Sequence, residues 1–212
     1  DVAAALEGAA GGPVAEGGVG GGTGMVCFEF KGGIGTASRV VEVLGAPSTL
    51  GVLVQANFGL REELVIAGVQ VGRHLREHRV YTDPDPGAGD NGSVIVVLAT
   101  DAPLLPHQLK RLARRAALGL GRLGAVAHNG SGDIFIAFST ADPELGAVDR
   151  VLSHRALPND ALDPLFAAAV QATEEAVVNA LVAGRDMVGD GGRLVSGIPH
   201  AALAELMTRH RP

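Results

Sequence analysis

The run Ser-Val-Ile-Val-Val-Leu-Ala at 93–99 constrains this chain more than any other stretch. Its β-branched residues disfavour a helix, and its near-continuous apolar character leaves no polar face, so it reads as a strand buried on both faces. A strand of that kind needs packed layers above and below. Downstream, Leu105, Leu109, Leu112, Ala113, Ala116 and Leu120 repeat at helical spacing around residues 106–118, with Gly119 and Gly121 as stops. Residues 160–183 form a longer helix, with Leu162, Leu165, Phe166, Ala169, Val170, Val177 and Leu181 on its buried side and Gly184 at its end. Residues 133–139 read as a strand, and Pro199 opens a last short helix. Upstream lie a helix-like stub at 1–10, a glycine run at 17–24, and β-rich segments at 25–30, 38–43, 49–56 and 64–71. Buried strands followed by amphipathic helices imply layered α/β packing. No internal repeat is visible.

At 212 residues, 47% of them hydrophobic, the chain suits one domain with a proper core. Aromatics supply only 3% while glycine numbers 31, so the core is built from Val, Ala, Leu and Ile around tight turns. A formal charge of −6 argues against a nucleic-acid partner, and Lys110, Arg111, Arg114 and Arg115 fall at helical spacing that marks a solvated face. Cys27 is the sole cysteine, which excludes an intrachain disulfide and a cysteine metal cage. No apolar run approaches the ~20 residues of a membrane span, so no membrane partner is expected. No signal peptide is visible, which favours a cytoplasmic location. The start at Asp1, without Met, reads as that of a fragment or a processed product.

Two windows fit the dinucleotide fingerprint G-x-G-x-x-G, and both lack its context. Residues 119–124 follow a helix, and 87–92 precede a strand, whereas phosphate cradling needs a strand, a turn and then a helix N-terminus. His74 and His78 lie four apart inside the aperiodic, polar stretch 73–92, without a His-Glu-x-x-His frame. Neither a metal nor an organic cofactor is therefore expected. No serine occupies a Gly-x-Ser-x-Gly elbow.

What remains is the junction Asp90-Asn91-Gly92-Ser93. One reading is a loop that delivers the chain into a strand, with Ser93 capping its start. The other is chemical: a serine at the first position of a rigid strand, a kinked segment before it, and a glycine carbonyl open to attack. Attack by Oγ on Gly92 would give an ester, and hydrolysis would free Ser93 as an N-terminus. Its α-amine, of ordinary pKa ~7.7–8.0, would then serve as general base for its own hydroxyl. Ser131 and Asp133, two apart at a strand start, project from one face within reach of Ser93, or simply cap a turn. Asn57 ends a strand, where it would donate to an oxyanion or satisfy a turn.

The segments Gly20-Gly21-Gly22-Thr23-Gly24-Met25 and Phe30-Lys31-Gly32-Gly33-Ile34-Gly35-Thr36 resemble the β-peptidyl aminopeptidase and L-aminopeptidase/D-amidase-esterase family. So do residues 54–57, the 92–97 junction, residues 131–139 and the helix around 174–181, in order along nearly the whole chain. The resemblance implies an αββα four-layer sandwich, like N-terminal-nucleophile hydrolases but with different strand connectivity. It implies a single domain over 1–212, cut by itself into 1–92, the end of an α chain, and 93–212, a β chain. It further implies an oligomer of α/β heterodimers acting on short peptides, aminoacyl amides or esters without a cofactor. By position, Ser93 becomes the nucleophile, Asn57 the oxyanion donor, and Ser131 and Asp133 the groups that orient the nucleophile and its amine. The family has a further N-terminal stretch with a catalytic tyrosine, which Tyr81 does not match; either a separate N-terminal chain segment supplies it, or it belongs to a longer form of this chain, or this chain by itself is inactive. An ornithine-acetyltransferase-like acyltransferase shares this kind of sandwich but uses a threonine nucleophile, and a binding module without catalysis is the third alternative.

Overall fold

The computed structural model describes residues 2–77, 80, 92–142, 149, 151 and 153–210. In chain order, α1 (Val2–Glu7) precedes a tight hairpin of β1 (Val26–Cys27) and β2 (Phe30–Lys31). A long hairpin of β3 (Gly33–Val43) and β4 (Ala46–Asn57) follows, then the short α2 (Val71–His74). β5 (Ser93–Thr100), α3 (Pro106–Ala113), α4 (Ala116–Arg122) and β6 (Ile134–Ser139) come next. α5 (Asp163–Ala183), a small β7 (Met187–Val188) and β8 (Leu194–Val195) pair, and α6 (His200–Arg209) complete the described elements.

The main sheet has the order β3-β4-β5-β6. β5 runs antiparallel to β4 and parallel to β6. A parallel neighbour cannot be reached by a hairpin, and α3 with α4 provides the crossover. α5 packs across β3 and β4, and α4 packs on α5. Val52, Val54, Val96 and Leu98 of the sheet meet Leu165, Ala169, Ala172 and Val177 of α5 in one fully buried core. Each such Val or Leu contributes about 1.5–3 kcal/mol by leaving water. The approach is close enough to exclude a side chain at position 35, where a Cβ would lie 1.9 Å from the Ala176 carbonyl oxygen. α5 is long and apolar enough to cross a membrane by length and composition, but it is mostly buried, as the central helix of this core.

The two faces of the sheet differ. Toward the helices, Val94, Val96, Leu98 and Thr100 are buried. On the opposite face Ile95, Val97 and Ala99 are half-buried, while Ile134, Ile136 and Phe138 are 50%, 48% and 44% exposed. β5 is thus apolar on both faces, as its sequence requires, but the described residues cover only one.

Four sequence expectations change. Residues 64–71 are not a strand: the segment turns at Ala67-Gly68, closed by reciprocal bonds between Ile66 and Val69, and its apolar Leu64 and Val71 are buried as turn anchors. The 25–30 strand is a hairpin folded at Phe28-Glu29. The helix at 106–118 breaks between α3 and α4, and Gly119 lies within α4 rather than stopping it. Its lack of a side chain serves packing, since a Cβ there would come 2.6 Å from the Val170 carbonyl oxygen of α5. The basic cluster at the end of α3 and the junction with α4 is only partly solvated, because Arg111 and Arg115 lie over the Phe166 ring at 5.1 and 3.9 Å.

Candidate active site

Ser93 opens β5, Asn57 closes β4, and the antiparallel register sets them opposite each other. Directly paired residues share a face, and here it is the face turned from the helices, where both are half-buried. Asn57 is oriented by the first hairpin: the Val26 N–H donates to its Oδ1 at 3.0 Å. A main-chain N–H can only donate, so the carbonyl end of the amide is fixed there and Nδ2 is left as a donor. Ser93 Oγ accepts a bond from the Gly132 N–H at 2.9 Å.

Ser131 and Asp133 share one side, as their spacing requires. Ser131 Oγ donates to Asp133 Oδ1 at 2.6 Å, and the same oxygen accepts the Val94 N–H at 3.1 Å. Asp133 therefore reaches the main chain one residue beyond Ser93, while the glycine between the pair holds the serine hydroxyl. Beside them is a cavity of about 120 Å³ bordered by Phe58, Val94, Phe135 and the His128–Glu63 pair, joined at 2.7 Å. A second cleft, of about 950 Å³, lies between His74, Arg76, Ser196, Pro199 and His200 and is lined by none of Ser93, Asn57, Ser131 or Asp133.

The hairpin that orients Asn57 is itself under constraint. Phe28 and Glu29 both have positive φ, 48° and 58°, a costly conformation for residues with a Cβ. Arg61, wholly buried, spans the turn: Nε donates to the Phe28 carbonyl at 3.0 Å, Nη2 donates to that of Glu29, and the guanidinium lies 3.4 Å over the Phe30 ring. Lys31 closes the other end. Its Nζ donates to the carbonyls of Gly22, Met25 and Gly32 at 3.0, 2.8 and 2.8 Å. Burial pushes the Lys31 amine below its ordinary 10.5, while three carbonyl acceptors match the three N–H bonds of the charged form.

Neither Lys31 nor Arg61 stood out in the sequence, nor did Gly132, His128 or Glu63. Arg61, Gly132 and the His128–Glu63 pair bond across 33, 39 and 65 positions of sequence, whereas the partners of Lys31 lie within nine positions and only the glycines after it hinted at close packing. Tyr81, His78 and residues 81–91 lie outside the described residues. Among the described residues, no three His, Cys, Asp or Glu side chains converge as metal ligands. A hydroxyl held by an N–H, with an amide donor across the strand and a carboxylate one peptide away, is a set suited to acyl transfer.

The chain is similar to the beta-peptidyl aminopeptidase BapA of Sphingosinicella microcystinivorans, at 53% identity over 98% of this chain and 55% of that protein. Among solved structures it resembles the L-aminopeptidase D-Ala-esterase/amidase of Ochrobactrum anthropi, described as a variant among the Ntn hydrolase fold. That match has a TM-score of 0.87 and 49% identity over 99% of this chain and 57% of that one. A Burkholderia sp. beta-aminopeptidase matches with a TM-score of 0.85 and 48% identity, over 100% of this chain and 59% of that one. The α/β sandwich class expected from the resemblance is therefore the fold of this chain, whose described residues form one main sheet with helices packed on one face. The chain spans about half the length of the curated relatives it matches. With the model of peptidase family S58 matching residues 1–195 as well, the chain belongs to that family.

Proposed function

We propose that this chain carries the nucleophile of a self-processing serine aminopeptidase or amidase. The observation that carries the reading is the pairing of Ser93 with Asn57 at one strand end, the hydroxyl held by Gly132 and the amide held with Nδ2 as its donor end.

In the first reaction Ser93 Oγ attacks the Gly92 carbonyl carbon. The C–N bond breaks as the ester forms, the nitrogen takes the hydroxyl proton, and water then hydrolyses the ester. The products are a Gly92 carboxylate and a free Ser93 α-amine, which divide the chain into 1–92 and 93–212. In turnover the amine takes the proton from Oγ as Oγ attacks a substrate carbonyl. Asn57 Nδ2 donates to the developing oxyanion. Collapse expels the leaving amine or alcohol, protonated from the ammonium, and water hydrolyses the aminoacyl ester. Asp133, with Ser131 bonded to it, holds the negative charge that favours the ammonium.

Substrates of this chemistry are short peptides, aminoacyl amides and aminoacyl esters, in keeping with relatives named as a beta-peptidyl aminopeptidase and an L-aminopeptidase D-Ala-esterase/amidase. The exposed apolar face around Ile134, Ile136 and Phe138 suits a second sheet of the αββα sandwich, contributed by a further N-terminal segment. Assembly as an oligomer of α/β heterodimers belongs to the same reading. The acyltransferase alternative is not favoured, because the matched family is a peptidase family and its named relatives are aminopeptidases. The test is release of nitroaniline from aminoacyl p-nitroanilides by the full-length protein, with ornithine offered as a competing acceptor. Hydrolysis that ornithine does not divert supports the reading. Transfer to ornithine, or no release, contradicts it.

A further inference from the structure

We propose that Lys31 is a positioning residue for the oxyanion donor, acting on Asn57 through a single peptide group. This rests on the reading of Asn57 given above. The peptide between Met25 and Val26 receives Lys31 Nζ on its carbonyl at 2.8 Å and gives its N–H to Asn57 Oδ1 at 3.0 Å. The two bonds lie at opposite ends of one planar, conjugated unit. Donation to the carbonyl draws electron density from the nitrogen and makes the Val26 N–H a stronger donor. Asn57 Oδ1 accepts that stronger bond, and its own conjugated amide presents a more polarised Nδ2–H. The charge on Lys31 is thus felt at the atom that meets the oxyanion, although Lys31 touches no substrate.

The cage around Lys31 argues for a role of the charge itself. A buried cation is expensive unless a counter-charge neutralises it. Lys31 is only 2% exposed, and among the described residues its hydrogen-bond partners are the three carbonyls, with no carboxylate. A neutral residue of that length would fill the space without the desolvation penalty. The Gly22 and Gly32 carbonyls fix the ammonium, so its third N–H stays on Met25.

A double-mutant cycle in the self-cleaved, full-length protein tests this. Lys31→Gln keeps two N–H donors for the cage and removes the charge. Lys31→Met removes both. Each is made alone and with Asn57→Ala, folding is checked by thermal melting, and kcat and KM are measured on an aminoacyl p-nitroanilide. Lys31→Gln should lower kcat about tenfold with KM nearly unchanged, the signature of an interaction felt only in the transition state. In the Asn57→Ala background the same substitution should change kcat less than about twofold, because its route is gone. If the tenfold loss persists there, or if Lys31→Gln keeps the kcat of the unsubstituted protein, the relay is wrong. If Asn57→Ala alone leaves kcat unchanged, it is the assignment of Asn57 that fails. Should Asn57→Ala slow cleavage, the same cycle is read on the cleavage rate, whose tetrahedral intermediate carries the same oxyanion.

Discussion

The two ends of the central strand pair carry the same kinds of residue and use them differently. At the far end of β5, Thr100 Oγ1 donates to the Thr49 carbonyl at 2.7 Å and accepts the Ala102 N–H at 3.1 Å. Asp101 accepts the Thr49 N–H at 2.7 Å, and Ser139 donates to the Ala102 carbonyl at 2.7 Å. There the hydroxyls and the carboxylate cap the main chain where the sheet ends. At the near end Asp133 likewise accepts a main-chain N–H, that of Val94, but Ser93 and Asn57 behave differently. Gly132 donates to Ser93 and Val26 donates to Asn57, so both accept. Among the described residues, neither the Ser93 hydroxyl hydrogen nor Asn57 Nδ2 donates to a protein acceptor. A capped strand end closes its hydrogen bonds on itself. A reactive one holds its groups in place by their acceptor ends and keeps the donors for something else.

Substitutions at both ends should separate these roles. The largest effect is expected from Ser93→Ala, which removes the only atom proposed to attack: the chain should stay uncut and amidase activity should disappear, as seen by gel electrophoresis and nitroanilide release. Asn57→Ala should lower kcat about 10²–10³-fold, the usual loss for one oxyanion donor, in a protein that still folds but melts somewhat lower because the Val26 N–H loses its acceptor. Asp133→Asn should move the pH–rate profile of kcat/KM toward lower pH. In the proposed mechanism the carboxylate stabilises the protonated α-amine of Ser93, so removing its charge would lower the pH at which the free base appears. A profile that stays in place would mean that Asp133 only braces the Val94 N–H. The smallest functional effect belongs to the far end. Thr100→Val leaves the buried Ala102 N–H without its acceptor and should cost about 1–3 kcal/mol in denaturant unfolding, with kcat intact. A loss of kcat there as large as at Asn57 would erase the distinction between the ends.

Much of this arrangement was legible in the sequence, for local reasons. β5 announces itself through a β-branched run, β6 through a short apolar one, α5 through its periodicity, and Ser93 and Asn57 through polar residues placed at strand limits. The register that sets Ser93 opposite Asn57 was not legible, because it depends on pairing across the segment between them. Residues 64–71 misled because apolar residues anchoring a turn look like those of a strand. Lys31 and Arg61 were missed for a different reason. Long cationic side chains ordinarily carry their charge to water, and these two are instead enclosed by carbonyls, with Arg61 bonding across 33 positions of sequence to Phe28.

The central claim is that the near end of β5 is a reaction centre whose first substrate is the chain itself. Intact mass spectrometry of the purified full-length protein, followed by N-terminal sequencing of each species, tests it most directly. Two polypeptides are expected, one ending at Gly92 and one beginning Ser-Val-Ile-Val-Val, with a single uncut species from Ser93→Ala. A single uncut species from the unsubstituted protein that nonetheless hydrolyses aminoacyl amides would contradict it.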